Sequence, residues 1–262
     1  MSVETLLRLA LVPTAVWLAS LAARRWGHSV SGYLGGFPLI GGPITLYLAL
    51  DHGAAFAARS ASVTLAVIFA QAMYLIAFAQ AARHARWPVA LASGWATFAI
   101  VSVLMTQLPL DPPLALASAV AGLAIAWRML PHPREEATLP AVPPIELRLR
   151  LAAALVLAAV ILWGAREFGP VVSGLLLSVP VTGSIMPPFT LALYGPDAVA
   201  RLARGFVVGL SGFMAFFFVV ASCAPALGVA GTFALAAAAA LVTSTIASRV
   251  LKVAAIEEAG LE

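Results

Sequence analysis

Apolar residues arrive in long runs separated by short polar breaks along almost the whole chain. The runs cover about 6–23, 29–50, 56–81, 88–107, 112–130, 148–165, 170–193, 200–221 and 226–248. Each approaches the ~20 residues a helix needs to cross the hydrocarbon core of a bilayer. Backbone polar groups find no water there, so a crossing segment must satisfy them internally, as a helix does. The pattern predicts an all-α integral membrane protein with nine transmembrane helices. Only one connection is long and hydrophilic, Pro131 to Glu146 (PHPREEATLPAVPPIE), and its five prolines predict an extended linker. Residues 131–147 thus divide a first membrane half, 1–130, from a second, 148–262.

The second run contains Ser31 to Gly41, SGYLGGFPLIG, and the seventh contains Ser173 to Gly183, SGLLLSVPVTG. Both read Ser-Gly-x5-Pro-x2-Gly. Sliding the chain by 142 residues without gaps also pairs Arg8 with Arg150, Arg24 with Arg166, Gly27 with Gly169, Gly53 with Gly195 and Arg59 with Arg201. Eleven of the 36 positions from Arg24 to Arg59 are identical, which marks a duplication. Helices one to four correspond to six to nine, with helix five an extra span between them. Five crossings separate the starts of the two copies, so the expectation is an inverted-topology repeat, an arrangement common in secondary transporters.

Charge agrees with this topology. With the N-terminus and the loops after even-numbered helices on one side, that side holds Arg8, Arg59 and Arg166, and the other holds the remaining twelve of fifteen basic residues. The positive-inside rule puts the twelve in the cytoplasm, the N-terminus outside and the C-terminus inside, in a bacterial inner membrane. Arg8 before the first run and Arg24-Arg25 after it oppose a cleaved signal peptide. Composition fits the same class: 62% of the 262 residues are hydrophobic, 10% are charged, and the mean hydropathy is +1.01. The net charge of +4 comes from basic residues placed singly or in pairs at run ends, as topology signals rather than a nucleic-acid surface. Cys223, the one cysteine, excludes an internal disulfide.

The tract from Ser31 to Leu50, with Ser31-Gly32, Pro38 and an aliphatic-aromatic tail through Tyr47, followed by the span from Phe56 to Phe78, resembles the small four-helix membrane proteins of the GlpM type. The resemblance implies an all-helical membrane protein in which each half equals about one such protein, fused from an antiparallel pair. It brings no catalytic residues.

The chemistry-bearing candidates are Ser31, Gly32, Pro38, Gly41, Ser173, Gly174, Pro180, Thr182, Gly183 and Ser184, with Gln71 from helix three. A proline and several glycines at membrane depth free backbone groups that a ligand can use. The plainer reading is a kink at each proline with close packing at the glycines. Gly35, Gly36, Gly42 and Pro43 crowd the first copy, and Ser178, Ser184 and Pro187-Pro188 the second, beyond what packing needs. Gln71, Tyr74 and Gln80 lie on helix three, whereas the matching stretch of helix eight reads Phe213, Phe216, Phe217 and Phe218, so the expected site is polar on one half and aromatic on the other. Asp51, Asp111, Glu167 and Asp197 fall at run ends, which argues against a carboxylate proton relay. His28, His52, His84 and His132 are dispersed, without metal-ligand spacing.

These features predict a secondary transporter or passive permease for a small neutral or anionic solute, with a midplane site on helices two and seven. The alternatives are a non-transporting scaffold or biogenesis factor, or a channel or lipid flippase. No enzyme activity, cofactor, metal or nucleic acid is expected. The partners are the lipid bilayer and an unidentified small molecule, with homo-oligomer formation left open.

Overall fold

The computed structural model describes residues 24–107, 111–133 and 178–259 continuously, with short pieces between 14 and 22 and between 147 and 175. Ser173, Gly174, most of runs one and six, and linker residues 134–146 lie outside the described residues. Every regular element described is helical. The elements are α1 (His28–Gly36), α2 (Gly41–His52), α3 (Ala54–Ala81), α4 (Trp87–Met105), α5 (Pro112–Met129) and the helical segment Val181–Ala259. That last segment turns at Gly195 and Gly228 into α6 (181–194), α7 (196–227) and α8 (229–259).

Proline and glycine chemistry sets these boundaries. A proline disfavours helical dihedrals in the residue before it. Phe37 before Pro38, Asp111 before Pro112 and Leu130 before Pro131 are accordingly extended, with ψ of 152°, 142° and 136°. Asp111 then caps α5, its side chain accepting from Leu114 N at 3.3 Å. Gly53 joins α2 to α3 with φ 88°, ψ 166°, and Gly195 joins α6 to α7 with φ 78°, ψ −177°. This backbone region is essentially closed to residues with a side chain, so each reversal needs glycine.

By length and hydropathy, five helices among the described residues can cross a membrane: His28–His52 (α1 with α2), Ala54–Ala81, Trp87–Met105, Pro112–Met129 and Val181–Val250. The last, at 70 residues, would extend about 105 Å if straight, far beyond a hydrocarbon core, and the two glycines fold it back on itself. Large apolar side chains cover the outside, including Ile100, Val103 and Leu104 on α4 and Leu241, Val242 and Ile246 on α8, each more than half exposed. A surface of this kind suits acyl chains as solvent. The protein has the character of an integral membrane protein.

α3 is the central helix: 83% of its most apolar window is buried, against 22% for α4 and 28% for α5. Small residues let its neighbours close on it. A Cβ on Gly94 of α4 would lie 2.7 Å from the Tyr74 ring, and one on Gly122 of α5 would lie 2.8 Å from Phe69 Cα.

The closest approach joins α1 to α7. Gly32 and Gly36 on α1 face Gly205 and Gly209 on α7, two Gly-x3-Gly pairs in register. A Cβ on Gly32 would collide with the Leu202 carbonyl, one on Gly205 with the Ser29 carbonyl, and one on Gly209 with the Tyr33 carbonyl. A Cβ on Gly36 would come 2.5 Å from Phe206 O. Backbone lies directly on backbone. Lipid chains are as apolar as a leucine side chain, so helices in a membrane gain most from such close packing. Tyr33 extends the contact to α8, its hydroxyl 3.0 Å from Ser244 Oγ.

Several contacts gather the basic residues at one end of the bundle. The His28 and Tyr194 rings lie 5.1 Å apart, and Gln80 Nε2 donates to Met129 O at 2.8 Å. Arg204 donates to Leu130 O at 3.1 Å and stacks over Trp127 at 4.7 Å. Arg24, Arg25, Arg83, Arg86, Arg128 and Arg204 therefore share this end, with Trp26, Trp87 and Trp127. Helix direction puts Gly53, Arg59 and Asp111 at the other.

Replacing Gly209 by Leu is expected to cost at least about 3 kcal/mol in SDS-unfolding, because no rotamer change relieves a backbone collision. Gly231→Ala, with only Leu227 Cβ at 3.7 Å, is expected to shift stability by about 1 kcal/mol or less. Equal effects would contradict the α1–α7 packing.

Candidate functional site

Both proline segments interrupt their helices, and they do so with the same hydrogen bonds. At the first, Leu39 N donates to Phe37 O at 2.7 Å and Gly42 N to Pro38 O at 3.0 Å. At positions 142 residues later, Val181 N donates to Val179 O at 2.7 Å and Ser184 N to Pro180 O at 2.7 Å. Identity at Pro38/Pro180 and Gly41/Gly183 is thus accompanied by identity of backbone pairing. The bends follow from proline, which supplies no N–H and crowds the preceding turn.

What covers the two breaks differs. At the second, side chains from α3 take the exposed carbonyls: Gln71 Nε2 donates to Ser178 O at 2.5 Å and Tyr74 OH to Gly183 O at 2.9 Å. Ser184 Oγ adds a bond to Pro180 O at 2.8 Å. At the first, the described side-chain bond is local, Thr45 Oγ1 to Gly41 O at 2.7 Å, and rings from α7 supply the cover. A Cβ on Gly41 would lie 3.1 Å from the Phe213 ring and 3.2 Å from that of Phe217, and one on Gly42 would lie 3.3 Å from Phe216. Each break is therefore covered by a helix from the opposite half, polar α3 on one side and aromatic α7 on the other.

The sequence candidates divide accordingly. Gln71, Pro180, Gly183 and Ser184 come together around the second break, with Tyr74. Pro38 and Gly41 lie at the first, under Phe213 and Phe217. Gly32 belongs to the α1–α7 contact, where its absent side chain serves packing. Thr182 and Ser31 lie on the face between the breaks: a Cβ on Gly35 would stand 3.1 Å from Thr182 Cγ2, and Ser31 sits one turn before Gly35. The glycines at the breaks are filled against rings, so the two segments meet as packed surfaces.

Two buried polar atoms here have no hydrogen-bond partner among the described residues: Gln71 Oε1 and Ser31 Oγ, in residues 7% and 0% exposed. An acceptor left in this state in an apolar interior costs about 1–3 kcal/mol. The buried polar side chains among the described residues are hydroxyls, Gln71 and His28, with no carboxylate. Such a set binds through hydrogen bonds and dipoles. Sequence reasoning missed Gly205 and Gly209; their four-residue spacing, matching Gly32 and Gly36, was the available signal.

Tyr74→Phe removes the hydroxyl from Gly183 O and is expected to lower stability by about 1 kcal/mol. Gln71→Leu removes the amide donor from Ser178 O and should cost about 1–3 kcal/mol; denaturant titration of the purified protein checks both, and two silent variants would contradict the assigned bonds. No protein family, characterised protein or solved structure matches this chain.

Proposed function

We propose that the protein is a secondary transporter or passive permease for a small neutral or anionic solute, with the two helix breaks as its transport site. The observation that carries this reading is the pair of matched breaks, identical in backbone pairing and covered reciprocally by the other half, with Gln71 Oε1 left unpaired beside the second. Broken helices whose freed backbone groups surround a midplane site are a recurrent transporter design.

The full arrangement in this reading is nine spans, with helices one to four and six to nine as inverted repeats. Support comes from Gly53 and Gly195, equivalent under the offset, with matching dihedrals but at opposite ends of the bundle. A fused pair of GlpM-type units is the matching ancestry. The Arg-rich end with its tryptophans faces the cytoplasm of a bacterial inner membrane, and the N-terminus lies outside.

The conformation described is then the closed one. Phe213, Phe216 and Phe217 fill the space over the first break, while Gln71 and Tyr74 hold the second. Rocking of one half against the other withdraws these side chains in turn, and the freed carbonyls and Gln71 Oε1 accept hydrogen bonds from the solute. A second reading, a non-transporting scaffold, is favoured by the backbone-on-backbone contact of α1 with α7, which resists sliding.

Osmotic light scattering on proteoliposomes separates the two, with glycerol, urea, nitrate and phosphate as probes. The transport reading expects flux of at least one probe above empty vesicles, raised by Phe213→Ala and lowered about tenfold by Gln71→Leu, in folded protein. Folded protein that passes none of the four in any variant would favour the scaffold.

A further inference from the structure

A second feature lies away from the breaks, at the Arg-rich end. The turn between α3 and α4 and the reversal between α6 and α7 enclose an open cleft of about 550 Å³. Arg83, His84, Arg86 and Trp87 line it from one side, Leu191 and Pro196 from the other. Arg83, His84 and Arg86 are exposed, and neither guanidinium has a hydrogen bond or ion pair with any described residue. No carboxylate among the described residues lines the cleft. Asp197, one residue beyond Pro196, is engaged with another protein group.

The surroundings specify the occupant further. Two unpartnered guanidiniums with a histidine present a doubly cationic mouth suited to a phosphate, which arginine binds through paired N–H donors. On the bundle's outer surface beside it stand Trp87 at 45% and Val89 at 58% exposure. A free phosphate has no use for this apolar wall, but a phospholipid does, because its acyl chains descend from the headgroup along the helices. The tryptophan and arginines also mark the headgroup level of a bilayer. Basic pockets between transmembrane helices at the membrane surface commonly take anionic lipid headgroups.

We propose that this cleft binds the phosphate headgroup of an anionic phospholipid, with Arg83 and Arg86 as its ligands and Trp87 and Val89 against its acyl chains. The site is separate from the helix breaks, so it stands whether or not the bundle transports a solute. Both arginines are solvent-facing and unpaired among the described residues, so their replacement leaves the described internal contacts of the bundle intact.

The test is native mass spectrometry of the purified full chain, titrated with phosphatidylglycerol or phosphatidylcholine, with inorganic phosphate as competitor. Phosphatidylglycerol is expected to bind at least tenfold more tightly than phosphatidylcholine. Arg83→Gln with Arg86→Gln should weaken it about 30-fold, while Arg59→Gln at the opposite end leaves it unchanged. A lipid-free melting temperature equal to the parent's confirms that the double variant is folded. Equal binding of the two lipids, or retention of phosphatidylglycerol by the folded double variant, overturns the proposal. Displacement of the lipid by millimolar inorganic phosphate overturns the lipid assignment in favour of a soluble anion.

Discussion

A helix inside a membrane has to satisfy its own backbone, and prolines at 38 and 180 prevent it from doing so. That conflict organises the bundle. Each break releases carbonyls in an apolar setting, where leaving them bare costs several kcal/mol. At the second break the solution is chemical: Gln71 reaches across from α3 to donate to Ser178 O, and Tyr74 donates to Gly183 O, whose helical partner four residues on is Pro187 and has no N–H. At the first it is steric, with the α7 rings laid over Gly41 and Gly42. One backbone geometry thus has two kinds of cover.

Such covers work only if the opposing helix is held close, and glycine provides this. The α1–α7 contact brings carbonyls to distances that a single methyl group would forbid. It also positions α7 so that Phe213 and Phe217, two to three turns beyond Gly205, arrive over the first break. Packing and the site are therefore parts of one arrangement. A conformational change has to spare the contact or break it as a unit.

Much of the fold was legible in the chain. The runs at 56–81, 88–107 and 112–130 correspond to helices at Ala54–Ala81, Trp87–Met105 and Pro112–Met129, because Gly53, Arg86 with Pro88, and Asp111 with Pro112 punctuate the apolar stretches with local chemistry. The two breaks were legible for the same reason, since proline acts on its own turn. What lay beyond reach was lateral. In a uniformly apolar helix no periodicity states which face meets which neighbour, so the pairing of Gly32 and Gly36 with Gly205 and Gly209 left no trace beyond its spacing. Gln71 was recognisable as a polar wall, yet the break it serves is decided by helix packing. Gly32 looked like a ligand-site residue and is a packing residue, because the motif does not distinguish a close carbonyl from a close solute.

The proposed transport site requires that two equivalent broken segments run in opposite directions through the membrane, each covered by the other half. Asp51 and Leu193 are equivalent under the 142-residue offset, both exposed, and each lies just before its reversing glycine. Sided labelling of Asp51→Cys and of Leu193→Cys, each in a Cys223→Ser background, with a membrane-impermeant maleimide on intact cells and on inverted vesicles tests the claim most directly. With that arrangement, position 51 is modified only from outside and position 193 only from the cytoplasmic face. Modification of both from the same face would contradict it.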